Sequence, residues 1–139
     1  MKHAGGAHST ALLTTLLTFA AAAGQNDRGM LKVRIPFSFV IAGRTLPPGR
    51  YVLSTLAGQT VRVASSHNQS AFVMTSRVDA RGLARSGKLV FHRYQDMYFL
   101  AQVWCVGSSE GRQVFKSPAE EEWERKGARL EIAVLRSEN

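Results

Sequence analysis

The sequence predicts a mostly-β domain: a single antiparallel β-sandwich or flattened barrel with one short helix near the C-terminus. From residue 31 onward, short runs rich in Val, Phe, Tyr and Leu alternate with Gly, Pro, Ser and Asn, a pattern typical of all-β domains. Apolar residues also recur at every second position over residues 31–41. A helix-capping sequence follows at residues 117–120, which places the helix after most of the strands.

The first predicted strand covers residues 31–41. Its apolar side chains share one face because strand side chains alternate; they are Leu31, Val33, Ile35, Phe37, Phe39 and Ile41. Lys32 and Arg34 fall on the opposite face. Pro36 also falls there and cannot donate a hydrogen bond to a neighbouring strand, so we expect this strand to lie at a sheet edge or to carry a bulge.

Turn residues divide the next part of the chain into short strands. Leu46-Pro47-Pro48-Gly49 predicts a turn, because Pro fixes φ and Gly permits positive φ. Further turns or loops are expected at residues 58–59, 65–69 and 107–111, together with a basic loop at 78–87. Between them the sequence predicts strands at residues 50–56, 60–64 and 70–77.

A hairpin is predicted from residues 88–94 and 97–106, joined by Gln95-Asp96. A two-residue loop fixes the register, and the expected pairs are Arg93 with Tyr98, His92 with Phe99, and Phe91 with Leu100. Both faces of this hairpin are largely apolar, so we expect it to be central in the sheet.

The one predicted helix begins at the capping box Ser117-Pro118-Ala119-Glu120 and ends at Gly127. Ala119 and Trp123 are four residues apart, so they share a face that we expect to dock on the sheet. The acidic residues near the start of the helix are explained by capping and solvation. A last strand is predicted over residues 128–136.

Residues 1–24 are predicted to be a secretory signal peptide, followed by a linker over residues 25–30 and the β domain over residues 31–136. Lys2 gives a positive start, and residues 11–23 form an apolar stretch too short to span a bilayer. A buried N-terminal helix is the alternative. We expect an exported protein of the periplasm or the cell exterior, with no transmembrane segment in the mature chain.

The charge is strongly positive and unevenly distributed. The whole chain carries a formal net charge of +8, whereas residues 28–116 hold 13 Lys and Arg against three acids, an excess of ten. Such a body attracts polyanions, which include anionic glycans and lipid headgroups. The basic residues are scattered rather than clustered in a block, so specific nucleic-acid binding is not predicted.

Four residues of the hairpin are candidates for ligand binding: His92, Arg93, Tyr98 and Trp104. Aromatic and Arg side chains together suit stacking on sugars or bases. The alternative is that Tyr98 and Trp104 belong to the core. His92 lies between aromatic residues and is also a candidate general base, with a packing role as its alternative.

Catalytic motifs, metal sites and cofactor motifs are not predicted. Cys105 is the single cysteine, which excludes an intramolecular disulfide and a four-Cys zinc site, and its apolar neighbours favour a buried thiol. Few histidines and acids remain outside the leader to form a metal site. The favoured function is a non-enzymatic module for an anionic or glycan surface of the envelope. The alternatives are an assembly protein that pairs through a sheet edge and a hydrolase around His92; the sequence assigns no oligomeric state.

Four segments of the chain share a pattern with other sequences: residues 35–39, 46–51, 88–94 and 98–104, which read Ile-Pro-Phe-Ser-Phe, Leu-Pro-Pro-Gly-Arg-Tyr, Lys-Leu-Val-Phe-His-Arg-Tyr and Tyr-Phe-Leu-Ala-Gln-Val-Trp. In them the chain resembles a family of small uncharacterised exported proteins from soil bacteria, which has no assigned activity. The resemblance implies export and a single β domain. It carries over no catalytic residue.

Overall fold

A computed structural model describes residues 30–82 and 86–138. The predicted signal peptide at residues 1–24, and all of the predicted linker except its last residue, lie outside the described residues. The described part is mostly β, with ten strands, one 3₁₀ turn and one short α-helix, and its sheet is not closed. Over the same residues, no helix has both the length and the apolar character of a membrane span.

The elements are named here in chain order. The strands are β1 (Met30–Ile35), β2 (Phe39–Ile41), β3 (Arg44–Leu46), β4 (Gly49–Leu56), β5 (Thr60–Ser65), β6 (Ser70–Asp79), β7 (Lys88–Tyr94), β8 (Met97–Trp104), β9 (Glu110–Val114) and β10 (Glu131–Arg136). The 3₁₀ turn, Ala57–Gln59, joins β4 to β5, and the helix α1, Pro118–Arg125, lies between β9 and β10.

The hydrogen-bonded strands follow the order β1-β4-β5-β6-β9-β8, after which β7 and β10 continue the sheet. The hairpin β2–β3 joins β8 through a parallel pairing of Val40 with Phe99. The first half of β6 pairs with β5 and the second half with β9. The two ends of the sheet approach at one point, where the Glu138 backbone N–H donates to the Lys32 carbonyl oxygen at 2.7 Å.

One main hydrophobic core is built from strands on both sides of β6. Its buried side chains include Leu31, Val33 and Ile35 of β1, Leu53 of β4, Val61 and Val63 of β5, Leu89 and Phe91 of β7, and Leu100 and Val103 of β8. Burying each such side chain stabilises the fold by about 1.5–3 kcal/mol. We call the surface that faces this cluster the core face and the opposite surface the outer face.

The predicted strand at residues 31–41 is two strands. The alternating burial is confirmed for Leu31, Val33 and Ile35, which are all buried, whereas the residues between them are exposed. The strand ends at Ile35, before Pro36, because proline has no N–H to continue the ladder. β1 lies at the end of the strand order, as Pro36 predicted, and all three residues of β2 are buried.

The predicted hairpin is confirmed together with its register. β7 and β8 pair Arg93 with Tyr98, His92 with Phe99, and Phe91 with Leu100. Beyond Phe91 the register shifts, since Val90 pairs with Gln102 and leaves Ala101 as the extra residue of a bulge. The hairpin is central because β9 flanks β8 and β10 flanks β7.

Two strands were not predicted. β3 has only three residues, and β9 begins at Glu110, inside the turn predicted at residues 107–111. β9 reads Glu-Gly-Arg-Gln-Val, which offers no apolar alternation, so its position between β6 and β8 could not be read from the sequence.

The helix and its caps are confirmed, and the predicted docking face is confirmed for Trp123 but wrong for Ala119. The Glu120 backbone N–H donates to Ser117 Oγ at 3.2 Å, and Gly127 has a φ of 75°. Ala119 is exposed, whereas Glu120 is 4% exposed. Trp123 does pack on the sheet, against a second buried cluster of Val40, Tyr94 and Phe99.

Candidate functional site

The four candidate residues of the hairpin lie on both of its faces. Tyr98 is on the core face, where its ring stacks on Phe37 at 3.7 Å between centroids. Arg93 lies directly opposite Tyr98 and places its guanidinium carbon 5.4 Å from that ring. His92 and Trp104 belong to the outer face. The four side chains therefore do not form one binding surface.

Trp104 is buried, as the packing alternative proposed. It is 7% exposed, and its Nε1 donates to Gln102 Oε1 at 2.9 Å. The ring lies against Gly111 of the neighbouring strand β9, where an added Cβ would come within 2.6 Å of a ring atom. Lys88 covers the ring with its Nζ at 5.7 Å from the centroid. Little of the indole is left for a ligand to stack on.

His92 forms a polar cluster with Glu120 and Tyr94 beneath the helix. His92 Nδ1 and Glu120 Oε2 are 2.6 Å apart, and the Tyr94 hydroxyl donates to the same oxygen at 3.0 Å. Burial raises the pKa of Tyr94, and the hydrogen bond to Glu120 raises it further. The Tyr94 hydroxyl therefore keeps its proton and remains a hydrogen-bond donor to Glu120. The cluster links α1 to β7.

A cavity of about 200 Å³ lies beside this cluster on the outer face. We call it the His92 cavity; its lining is Ser76, His92, Ala101, Gln102, Gln113, Val114, Phe115, Lys116 and Glu120. Since Glu120 occupies Nδ1, Nε2 is the ring nitrogen of His92 without a hydrogen bond among the described residues. The lining offers both hydrogen-bond donors and acceptors, among them the amides of Gln102 and Gln113.

A hydrolase around His92 would need a nucleophile beside that ring. The one hydroxyl of the lining belongs to Ser76 on β6, and β9 and β8 separate β6 from β7. Three strand spacings separate the two backbones by about 14 Å, whereas a base must lie within about 3 Å of the proton it removes, so strand pairing does not place Ser76 beside His92. No group of three or more His, Cys, Asp or Glu side chains in residues 30–82 and 86–138 is placed to hold a metal ion.

The outer face of β1, β4 and β5 carries a concentration of positive charge. Arg34 of β1 lies directly opposite Arg50 of β4, and Lys32 precedes Arg34 by two positions on the same face. Arg62 of β5 lies opposite Ser54 on that face. We call these four residues the basic face: Lys32, Arg34, Arg50 and Arg62.

Ion pairing at the arginines of the basic face is weak. Arg50 pairs with Glu138 at 3.8 Å, between two well-exposed side chains, and such pairs contribute little. Arg34 and Arg62 make no ion pair within the described residues. Like charges directly opposite on a sheet are destabilising, so this pairing of Arg34 with Arg50 works against the fold. The alternation of Lys32 and Arg34 with apolar residues was the sequence signal for this surface.

No protein-family model matches the chain, and neither a curated protein nor a solved structure does. The resemblance to small exported bacterial proteins therefore stays a prediction. The function is argued below from the geometry of the described residues.

Proposed function

We propose that this protein is a non-enzymatic module that binds an anionic polysaccharide of the cell envelope through the basic face. The observation that carries the proposal is the direct opposition of Arg34 and Arg50 on adjacent strands. Their Cα atoms are about 5 Å apart, and Lys32 lies about 7 Å along the strand. A surface with cations at this spacing suits an extended polymer that carries regularly spaced carboxylates or sulfates.

The proposed location and architecture follow the sequence predictions. Residues 1–24 would direct export, and residues 31–136 would form one β-sandwich or flattened barrel in the periplasm or outside the cell. A polysaccharide of the envelope is then the polyanion that the basic face meets.

The test is retention of the protein on immobilised alginate, with neutral dextran as the reference matrix. We expect the wild type to bind alginate, to elute as salt rises, and to pass through dextran, because salt screens exposed charges. The variant Arg34→Gln/Arg50→Gln should elute at clearly lower salt. Since it removes two opposed like charges, it should fold at least as well as the wild type.

The matched control is Arg125→Gln/Arg129→Gln, which removes the same charge from exposed positions at and after the helix. It should elute with the wild type. If both double variants shift equally, net charge rather than the basic face determines retention, and the proposal fails. Retention that high salt does not weaken would also contradict it.

A further inference from the structure

A second cavity, of about 400 Å³, opens at the end of the core between β4 and the pair β8–β9. Its lining includes Thr55, Val103, Cys105, Val106, Glu110 and Arg112, and we call it the Arg112 cavity. Its volume falls within the roughly 300–1,000 Å³ of small-molecule sites. It lies on the core face, so it is separate from both the basic face and the His92 cavity.

The inner wall of the Arg112 cavity is apolar. Val103 is a buried member of the main core, and the neighbouring Cys105 is half-buried and packs against the same core. Val106 adds a well-exposed apolar side chain at the opening. An alkyl chain that entered here would replace water on these surfaces, which is favourable in proportion to the apolar area covered.

Arg112 is the cation of this cavity that lacks a partner. The acid of the lining, Glu110, is bound to Arg77, whose Nε lies 3.1 Å from Glu110 Oε1 and 3.0 Å from Asp79 Oδ1. Arg112 makes no ion pair and no hydrogen bond within residues 30–82 and 86–138. These four charges sum to zero, but Arg77 forms ion pairs with both carboxylates and Arg112 with neither.

The positive charge of Arg112 acts on the cavity itself. Burial raises the pKa of the Cys105 thiol, and Arg112 opposes that rise by favouring the thiolate. An apolar wall beside a guanidinium that makes no ion pair is complementary to a molecule with an apolar chain and one anionic end. Guanidinium groups bind carboxylates through two parallel hydrogen bonds.

We propose that the Arg112 cavity binds a small amphiphilic carboxylate, with the carboxylate on Arg112 and the alkyl chain against Val103. The site is independent of polysaccharide binding, because none of its residues belongs to the basic face. A short fatty acid is the class of ligand that this chemistry selects.

The experiment uses Cys105 as a reporter, since it is the single cysteine of the chain. The rate of its alkylation by iodoacetamide is measured in the full chain at rising concentrations of octanoate, with octanol as the uncharged probe of equal length. We expect octanoate to slow the alkylation with saturation. Octanol should need at least about tenfold higher concentrations, because it lacks the charge-assisted hydrogen bonds.

Arg112→Gln should weaken octanoate about tenfold or more and leave the effect of octanol unchanged. Arg129→Gln, which removes an exposed arginine far along the chain, should match the wild type. Equal protection of Cys105 by octanol and octanoate in the wild type would overturn the proposal. The proposal would also fail if neither compound slowed the alkylation of the wild type. Full protection by octanoate in Arg112→Gln would overturn the role of the guanidinium. The alginate experiment does not depend on any of these results.

Discussion

Among the acidic residues of α1, we expect the loss of Glu120 to destabilise the fold most, because Glu120 belongs to the polar cluster beneath the helix. Glu120→Ala removes the acceptor of two hydrogen bonds and leaves the Tyr94 hydroxyl buried at 1% exposure without a partner. An orphaned buried donor costs about 1–3 kcal/mol. The His92 contact adds less because that side chain is 24% exposed and water can reach it. We therefore expect a loss of roughly 2–4 kcal/mol, which is a large part of the about 5–15 kcal/mol that stabilises a typical domain.

The measurements are unfolding in urea and unfolding by heat, each monitored by circular dichroism and tryptophan fluorescence. In a domain of this size, such a loss lowers the melting temperature by roughly 10–20 °C. Glu120→Gln should cost only about 1 kcal/mol, because both hydrogen bonds end on one oxygen and an amide carbonyl can accept both. Its bonds are weaker since the carboxylate charge is gone.

The control is Glu121→Ala, which truncates an exposed acid on the next residue of the same helix. It should change stability by about 0.5 kcal/mol or less, as surface substitutions usually do. If Glu120→Ala and Glu121→Ala prove equally stable, the bonds to His92 and Tyr94 do not hold the helix on the sheet.

Two further predictions concern Tyr94 and Gly111. The pKa of Tyr94 is raised in the folded state, so the folded chain holds this proton more tightly than the unfolded chain, whose tyrosines titrate near pH 10. The contribution of Tyr94 to stability is fully present below about pH 10 and is lost as pH rises above that value. The free energy of unfolding in urea should therefore decline less steeply for Tyr94→Phe than for the wild type between about pH 9 and 11. Identical slopes for the two proteins would contradict this. Gly111→Ala places a Cβ within 2.6–2.8 Å of the Trp104 ring, so we expect a loss of about 1–3 kcal/mol and a changed near-ultraviolet spectrum of the tryptophan. An unchanged melting temperature would show that the ring moves aside freely.

The parts of the fold that local rules determine could be predicted from the sequence. The two-residue loop Gln95-Asp96 permits one register, and the structure has that register. The helix follows from Ser117 and Gly127, whose capping roles depend only on nearby backbone. In β1, alternate apolar residues predicted the buried face because period-two burial needs no knowledge of the partner strand.

The parts that depend on distant partners could not be predicted in the same way. β9 has a polar sequence and is a strand because β6 and β8 lie on either side of it. Glu120 was interpreted as a solvated helix acid, since an acid near a helix start is normally exposed. Its burial depends on hydrogen bonds with His92 and Tyr94, which are 28 and 26 residues away in the sequence. No local pattern could show that they meet.

The same distinction between local sequence and distant partner strands applies to the candidate sites. The charge excess was visible in the composition, but its concentration depends on β1 and β4 being neighbours, which sets Arg34 against Arg50. Trp104 was a candidate because it is aromatic and lies in a central hairpin. Whether such a ring is free or covered depends on the strand beside it, and here Gly111 leaves room for the ring to be covered.

The long strand β6 has a consequence for how the molecule unfolds. The first half of β6 pairs with β5, in the group of β1, β4 and β5, and the second half pairs with β9, in the group of β7, β8, β9 and β10. The main core takes side chains from both groups of strands. Neither group could keep its apolar residues dry if the other came apart. Melting should accordingly be a single all-or-none event, and the amide hydrogens at the centre of β6 should be among the last to exchange with solvent.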